Sequence, residues 1–252
     1  MSEAQEVSNR RTLLPIVFNW QLFVSLCVGF ILFTIIGTLS HEAGHYTVAK
    51  WFGYHPRINY AATYYNEPDT STIRFLNEQI QLHRKEIASH ASFPGSDKYY
   101  AIAENYGRGY IWMTMAGPIE TMLTGTIGCA FIIGNGKRYY TSSKLGPGQW
   151  IAVFFALFWL RQLTNLVVGI GVLVLTHKWS RHSDEEVLAR IWHLPRGTIS
   201  GITGLIALVI ATIIIFRIIP AKQRFTFISA GLLGGVAGYL LWLVWLGPVI
   251  MP

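Results

Sequence analysis

The sequence predicts an all-α integral membrane protein with about five transmembrane helices and a small strand-and-helix insertion after the first. Hydrophobic residues make up 52% of the chain and charged residues only 13%, whereas an average soluble domain carries roughly 25% charged residues. Five segments are apolar over roughly 20 residues, the length that crosses a bilayer. The formal net charge of +7 lies mostly between these segments, which is typical of loops beside lipid head groups.

The predicted spans are separated by clusters of turn-forming and basic residues. The first, fourth and fifth spans contain no charged residue, the second contains only Glu120, and the third contains only Arg161. The chain is therefore predicted to form one membrane domain, residues 1–252, with spans at about 17–39, 109–134, 150–176, 199–216 and 225–250.

The segment from about 52 to 108 is the one large predicted extramembrane insertion. Arg57 to Tyr65 is rich in β-branched and aromatic residues, which favours a strand. Ile73 to His90 places apolar residues near helical spacing with charged residues between them. This pattern is typical of an amphipathic helix at a membrane surface and equally of an ordinary loop helix.

The five residues from His41 to His45 fit the pattern H-E-x-x-H at the end of the first span. Positions i and i+4 of a helix share a face, so both imidazoles can bind one Zn²⁺. Glu42 would then lie beside the metal, where it can act as the general base of a hydrolysis reaction. Such polar groups are costly in or near hydrocarbon, and they are usually kept because they bind something.

A third zinc ligand must come from another part of the chain, because catalytic zinc sites usually have three protein ligands and one open position. With five spans, the loop after the third span lies on the same membrane side as His41 and His45. In that loop Asp184 is the preferred third ligand, although its surroundings also fit a helix-capping pattern. Glu120, about three turns into the second span, is the main rival. The other candidates are histidines: His55, His83, His90, His177 and His182.

Three polar residues, Arg161, Gln162 and Asn165, lie near the middle of the third predicted span. Such groups must face protein or a water-filled cavity. Arg161 is predicted either to form an ion pair with Glu120 or to contact the substrate. Asn165, four residues further along the same helix face, is a candidate for stabilising an oxyanion or holding the substrate backbone.

Four glycines in the fifth predicted span include two Gly-x-x-x-Gly pairs, a spacing that permits close helix approach in membranes. Packing within the helix bundle is the favoured interpretation, and dimerisation is the alternative. The four residues are Gly231, Gly234, Gly235 and Gly238.

The His41–His45 motif, followed by Ala116-Gly117-Pro118-Ile119 in the next span, resembles the site-2 protease family of intramembrane metalloproteases over roughly residues 30–194. That family has a Gly-Pro pair in its second core helix and an Asp as its third zinc ligand. Its Asn-Pro…Leu-Asp-Gly motif is absent here, and Asn165 and Asp184 are the nearest counterparts. The resemblance implies cleavage of a peptide bond in or near a transmembrane segment of a substrate protein. It also implies an extended strand that pairs with the unwound substrate.

Two other function classes remain open at this stage. One is a membrane zinc hydrolase acting on soluble peptides or lipid-linked substrates, and the other is a non-catalytic metal-binding membrane protein. The latter would not need Glu42 between its two ligands. The expected partners are the lipid bilayer and a transmembrane substrate protein. Nucleic acid is not expected, because loops at the bilayer surface account for the basic residues.

The membrane orientation is left open by two opposing indications. Basic residues in the short loops on the N-terminal side, among them Arg10 and Arg11, favour a cytoplasmic N-terminus. The family resemblance favours an active site near the cytosol, which would place the N-terminus on the other side.

Overall fold

The structure is a computed structural model that describes residues 14–66, 70–180 and 183–252. Arg10, Arg11 and His182 lie outside these ranges. Within them, five helical segments are long and apolar enough to cross a membrane, and the prediction of a mainly helical fold with about five such segments is confirmed. They are Trp20–Trp51, Ser96–Gly134, Pro147–Thr176, Thr198–Ile218 and Ala221–Ile250.

The helices and strands are α1 (Trp20–Trp51), β1 (His55–Ile58), β2 (Thr63–Asn66), α2 (Thr70–Leu82), α3 (Arg84–Ala88), α4 (Ser96–Gly134), α5 (Gly136–Tyr140), α6 (Pro147–Ala156), α7 (Leu160–Thr176), α8 (Asp184–Ile191), α9 (Thr198–Ile213), α10 (Ala221–Tyr239) and α11 (Gly247–Ile250). A 3₁₀ turn joins α6 to α7, and π-helical turns extend α9 and α10.

The first two long helices extend further than the sequence predicts. α1 begins at Trp20, after the N-cap Asn19, whose side chain accepts the N–H of Leu22 at 2.9 Å, and it continues through the His/Glu motif to Trp51. Its 32 residues correspond to about 48 Å at 1.5 Å per residue, more than the ~30 Å of a hydrocarbon core. The polar residues of the motif do not end the helix. It ends instead just before Gly53, whose φ of +81° is a conformation suited to glycine.

The insertion contains a hairpin, so the prediction of one continuous strand over 57–65 was wrong. β1 and β2 pair antiparallel, with Ile58 opposite Thr63. The chain turns back because the Asn59 side chain accepts the N–H groups of Ala61 and Ala62 at 2.9 and 2.8 Å, which is turn chemistry typical of asparagine. The predicted amphipathic segment is divided into α2 and the short α3.

The tip of the hairpin is bound to the end of the fifth long helical segment. The backbone N–H of Tyr60 donates to the carbonyl of Met251 at 3.0 Å. The indole N–H of Trp242 donates to the carbonyl of Tyr60 at 2.9 Å. The insertion is therefore fixed both to α1, which precedes it, and to the last helices of the bundle.

The hydrophobic core lies in the half of the bundle away from the His/Glu motif. There Phe30 of α1 packs edge-on against Phe154 of α6 and also contacts Phe227 of α10. A smaller buried cluster, made of Ala49, Tyr54 and Met113, lies at the other end beside the motif. The aromatic core thus holds the long helices together, while the motif occupies the opposite end.

Large apolar side chains also cover the outward faces of the long helices. Leu123 is 58% exposed, Val209 58% and Leu232 68%. A soluble monomer rarely exposes large continuous apolar surfaces, whereas contact with lipid tails requires them. The outer surface therefore agrees with a multi-pass membrane protein.

Three of the four glycines of α10, Gly231, Gly234 and Gly238, pack against α1, as predicted, whereas a Cβ at Gly235 would meet no atom within 4 Å. A Cβ at Gly234 would lie 2.9 Å from the backbone of Cys27, and one at Gly238 would lie 2.9 Å from the Thr34 hydroxyl. α10 therefore lies directly against α1, with no space for larger residues at these two positions.

Gly234→Ala should destabilise the protein, because its methyl group would push α10 away from α1. Overpacking of this kind costs roughly 1–3 kcal/mol, which should lower the apparent unfolding temperature in detergent by several degrees. The matched control is Gly235→Ala, where a Cβ meets no atom within 4 Å and helix propensity improves. Equal unfolding temperatures for the two variants would contradict the close packing of α1 and α10.

Candidate metal centre

The His/Glu motif lies on a buried face of α1. His41 is 1% exposed, Glu42 5% and His45 5%. One ligand atom from each of the three side chains lies within 4.8 Å of the others, a grouping that could hold a metal ion. Three buried groups of this kind on one turn of helix place strong electron-pair donors in a region with little water.

The tightest cluster at this site is formed by the two histidines and Asp184. His41 Nε2 lies 3.1 Å and His45 Nε2 3.3 Å from Asp184 Oδ2, and the two Nε2 atoms are 3.2 Å apart. In a tetrahedral zinc site with ligand bonds of ~2.0–2.1 Å, neighbouring ligand atoms lie about 3.3–3.4 Å apart. The three atoms therefore form one face of a tetrahedron of the size that zinc requires.

Asp184 reaches the histidines from the first residue of α8, after the third long helical segment. Ser183 caps this helix by accepting the N–H of Glu186. Burial alone would raise the pKa of the Asp184 carboxyl, but hydrogen bonds from His41 and His45 outweigh burial and hold that pKa well below its usual range. Asp184 is therefore an ionised carboxylate, the form in which it can bind a metal.

The orientation of His45 is fixed from behind by α4. Its Nδ1 lies 2.6 Å from the carbonyl oxygen of Met113, so Nδ1 carries a proton that it donates to this oxygen, and Nε2 is the nitrogen directed at Asp184. Backbone carbonyls commonly hold zinc-binding histidines in this way. For His41, the structure gives no hydrogen-bond partner to Nδ1 among the described residues.

Gly117 provides the space into which the imidazoles point. A Cβ at this position would overlap His45 Nε2 and would lie 2.6 Å from His41 Nε2. Any other residue would occupy the point on which the ligand atoms converge. Two imidazole nitrogens and one carboxylate oxygen are a common donor set for catalytic zinc, so the residues present fit a zinc ion.

Glu42 faces β2 of the hairpin. The Thr63 hydroxyl lies 2.9 Å from Glu42 Oε2 and 2.9 Å from the Glu42 carbonyl oxygen, so it can donate to either. Asp184 Oδ2 lies 3.1 Å from His41 Nε2 and 3.3 Å from His45 Nε2, whereas a carboxylate oxygen of Glu42 is hydrogen-bonded to Thr63. This arrangement favours Asp184 as the third ligand and leaves the Glu42 carboxylate for proton transfer.

Thr63 and Tyr65 are site residues that the sequence analysis did not identify. Residues two apart on a strand share a face, so Tyr65 lies on the same face of β2 as Thr63. Burial, reinforced by the nearby carboxylates of Asp184 and Glu42, raises the pKa of Tyr65 above its usual range. The Tyr65 phenol therefore stays protonated. The alternation of the strand could have indicated this pair, had the hairpin been recognised.

The rival ligand Glu120 lies elsewhere on α4. Its Oε1 accepts the hydroxyl of Thr124 at 2.9 Å, and its Cβ packs beside Gly44. The predicted ion pair between Glu120 and Arg161 is not among the ion pairs of the described residues. Glu120 is not in the group of His41, Glu42 and His45 that could hold a metal ion. One of its carboxylate oxygens is hydrogen-bonded within α4, and the other is buried with no hydrogen-bond partner among the described residues.

Asn165 is placed next to the metal cluster rather than within it. Its side-chain amide donates to Glu185 Oε1 at 3.0 Å, the residue that follows Asp184. Of the other candidate histidines in the described ranges, His83 stacks on Phe93 and His90 on Tyr100. His177 ends α7, and His55 lies in β1. These four are not part of the metal cluster.

In comparisons with protein-family models, curated proteins and solved structures, nothing matches this chain.

Gly117→Ala should abolish tight zinc binding while the helices remain folded. The added methyl group overlaps His45 Nε2, so the imidazoles must move apart and the ligand geometry is lost. We expect the zinc Kd of the purified protein to rise at least about 10-fold, the lower end of changes that disturb ligand orientation. The matched control is Gly107→Ala on the same helix, where a Cβ meets nothing within 4 Å. Equal zinc Kd values for both variants would argue against a metal ion at this point.

Proposed function

We propose that this chain is a multi-pass membrane zinc metallopeptidase that hydrolyses a peptide bond in or near a transmembrane segment of a substrate protein. In this respect it would act like the site-2 proteases that its motif resembles. The observation that carries the proposal is the triangle of His41 Nε2, His45 Nε2 and Asp184 Oδ2, with sides of 3.1–3.3 Å, beside a separate glutamate. Three candidate zinc ligands beside a glutamate that could act as a base favour a hydrolytic enzyme over a protein that only stores metal.

His41, His45 and Asp184 would hold the zinc ion. Zinc with three protein ligands leaves one open position, where it would supply Lewis acidity that lowers the pKa of water to about 7. Glu42 would accept the proton of the attacking water and deliver it to the leaving amine. The Thr63 hydroxyl orients the Glu42 carboxylate. The Met113 carbonyl keeps His45 in the tautomer that binds metal.

Glu42 distinguishes an enzyme from a passive metal-binding protein. It is 5% exposed, and a carboxylate buried in or near hydrocarbon is costly, so such groups usually have a function. Three other groups already complete the protein ligands of a catalytic site, so Glu42 is not needed to hold the metal. Its position is that of a general base.

The location of the site favours a substrate that is itself in the membrane. His41 lies about 30 Å along α1 at 1.5 Å per residue, which is close to the thickness of a hydrocarbon core. The surrounding helices expose apolar side chains such as Leu123 and Leu232. A transmembrane segment can approach such a surface laterally, whereas a soluble peptide must first partition into it.

The outer edge of β2 offers a way to hold the substrate extended. The Asn59 N–H bonds to the Ala62 carbonyl. Because bonded and non-bonded pairs alternate in an antiparallel ladder, the backbone N–H and C=O groups of Thr63 and Tyr65 point away from β1. An unwound substrate strand could pair with these groups, and the Thr63 side chain would keep it close to Glu42.

Glu42→Gln should retain zinc and lose peptidase activity, because the amide keeps the size of the side chain but cannot accept the proton. General bases contribute roughly 10²–10⁴-fold to rate, so a loss of that size is expected in kcat, with zinc content unchanged. The assay uses protein reconstituted in bilayers, with single-span and soluble peptides as parallel substrates. Cleavage by the variant at the wild-type rate would rule out Glu42 as the base. Exclusive cleavage of soluble peptides by the wild type would support the alternative of a hydrolase for soluble substrates.

Tyr65→Pro should reduce cleavage much more than Tyr65→Ala does. Both variants lose the phenol ring, but only proline removes the outward N–H of β2. The hairpin itself should persist, because this N–H is not bonded to β1 and the residue opposite is already Pro56. Rates of cleavage and zinc content are the measurements, and zinc content should be equal in both. Equal cleavage rates would show that the substrate does not pair with this edge.

A further inference from the structure

The helix that presents Asp184 is too short to be stable by itself. α8 has 8 residues, and isolated helices shorter than ~12–15 residues are marginal in water. The geometry of the metal cluster depends on where this helix lies, since Asp184 is its first residue. Contacts from neighbouring elements must therefore hold α8 in place.

Glu185 connects α8 to the third long segment. It is 1% exposed, and its Oε1 accepts the side-chain amide of Asn165 on α7 at 3.0 Å. A polar side chain buried this deeply loses its hydration, so its hydrogen bond with Asn165 has a large influence on its position. Its other carboxylate oxygen has no hydrogen-bond partner among the described residues.

Glu186 connects the same helix to the fourth long segment. It is 4% exposed, and its carboxylate accepts the backbone N–H of Gly197 at 3.0 Å and the hydroxyl of Ser200 at 3.2 Å. Gly197 is the N-cap of α9. A carboxylate at this point satisfies otherwise unpaired helix donors and interacts favourably with the helix dipole.

We propose that Glu185 and Glu186 are positioning residues that set the zinc affinity of the site by clamping α8 between the third and fourth long segments. Successive residues of a helix point about 100° apart, so three consecutive acids can act in three directions. Asp184 is directed at the two histidines, Glu185 at Asn165, and Glu186 at the start of α9. The inference rests on the proposed zinc site, and it gives Asn165 a role in holding α8 that does not require contact with the substrate.

The test measures the zinc Kd of the full chain in lipid nanodiscs, by competition with a chelator. Glu185→Ala and Asn165→Ala should each weaken zinc binding about 10–100-fold, the range for groups that orient metal ligands. The zinc Kd of the double variant should be no higher than the higher Kd of the two single variants, because each single substitution already removes the same contact. Glu185→Gln should bind zinc nearly as well as the wild type, since its amide oxygen still accepts from Asn165. Asp184→Ala gives the effect of losing the ligand itself.

Glu186 is tested in the same way at the other end of the clamp. Glu186→Ala should weaken zinc binding over the same 10–100-fold range, and Glu186→Gln should restore it because its oxygen still accepts from Gly197 and Ser200. The matched control is Glu78→Ala, an exposed acidic residue on α2, which should leave the zinc Kd unchanged. The unfolding temperature of the metal-free protein is measured in parallel. A change in zinc Kd without a matching change in this temperature supports positioning.

Three outcomes would overturn the proposal. Glu185→Ala and Asn165→Ala could bind zinc with the wild-type Kd while Asp184→Ala loses zinc. This result would support the metal site and show that the proposed clamp is wrong. An additive loss in the double variant would show that Asn165 and Glu185 do not act through a shared contact. A wild-type protein that does not bind zinc would instead remove the proposed function, and the clamp with it.

Discussion

The close approach of α1 to α4 is the constraint on which the site depends. Gly44 allows α1 to lie directly against the Ala116 carbonyl, and Gly117 leaves room for both imidazoles between the helices. α4 in turn supplies the carbonyl that fixes the tautomer of His45. The spacing of the candidate ligand atoms is therefore set at this helix interface, because any change in the separation of the two helices would move the imidazoles relative to Gly117.

The side chains of the site come from separate parts of the chain, and the elements that carry them differ in how stable they are by themselves. His41 and His45 are rigid because a long helix carries them. Glu42 depends on a two-stranded hairpin, which is marginal by itself and is stabilised here by α1 and by contacts with Trp242 and Met251. Asp184 depends on the shortest supporting element, a helix of 8 residues. The proposed ligands and base are thus carried by elements of different stability, and the short helix that carries Asp184 is the one that the buried carboxylates of Glu185 and Glu186 tie to its neighbours.

Much of the fold and part of the site could be predicted from sequence because they depend on local patterns. Hydrophobic length identified the five long segments, and the spacing of His41 and His45 placed both on one helix face. Topology placed Asp184 on their side of the bundle. The hairpin was missed because Asn59 turns the chain within a stretch of strand-forming residues. The roles of Thr63, Glu185 and Asn165 depend on how separate elements dock, and no spacing in the sequence encodes that. Glu120 had a suitable residue type and depth, but it is not in the group of residues that could hold a metal ion, and one of its carboxylate oxygens is hydrogen-bonded to Thr124 of its own helix.

The hydrogen bonds between Tyr60 and the end of the fifth long segment have a mechanical consequence. They join the hairpin, which follows α1, to Trp242 and Met251 at the end of the fifth long segment. α10, in the same segment, packs along α1 with Gly234 against Cys27, so α1, the hairpin and the fifth segment are connected to one another. A force that displaces the last helical turns is therefore transmitted through Tyr60 to the strand carrying Thr63, and from there to the Glu42 carboxylate. Lipid thickness or lateral pressure acting on a helix that carries none of the proposed ligands would in this way reach Glu42, the proposed general base.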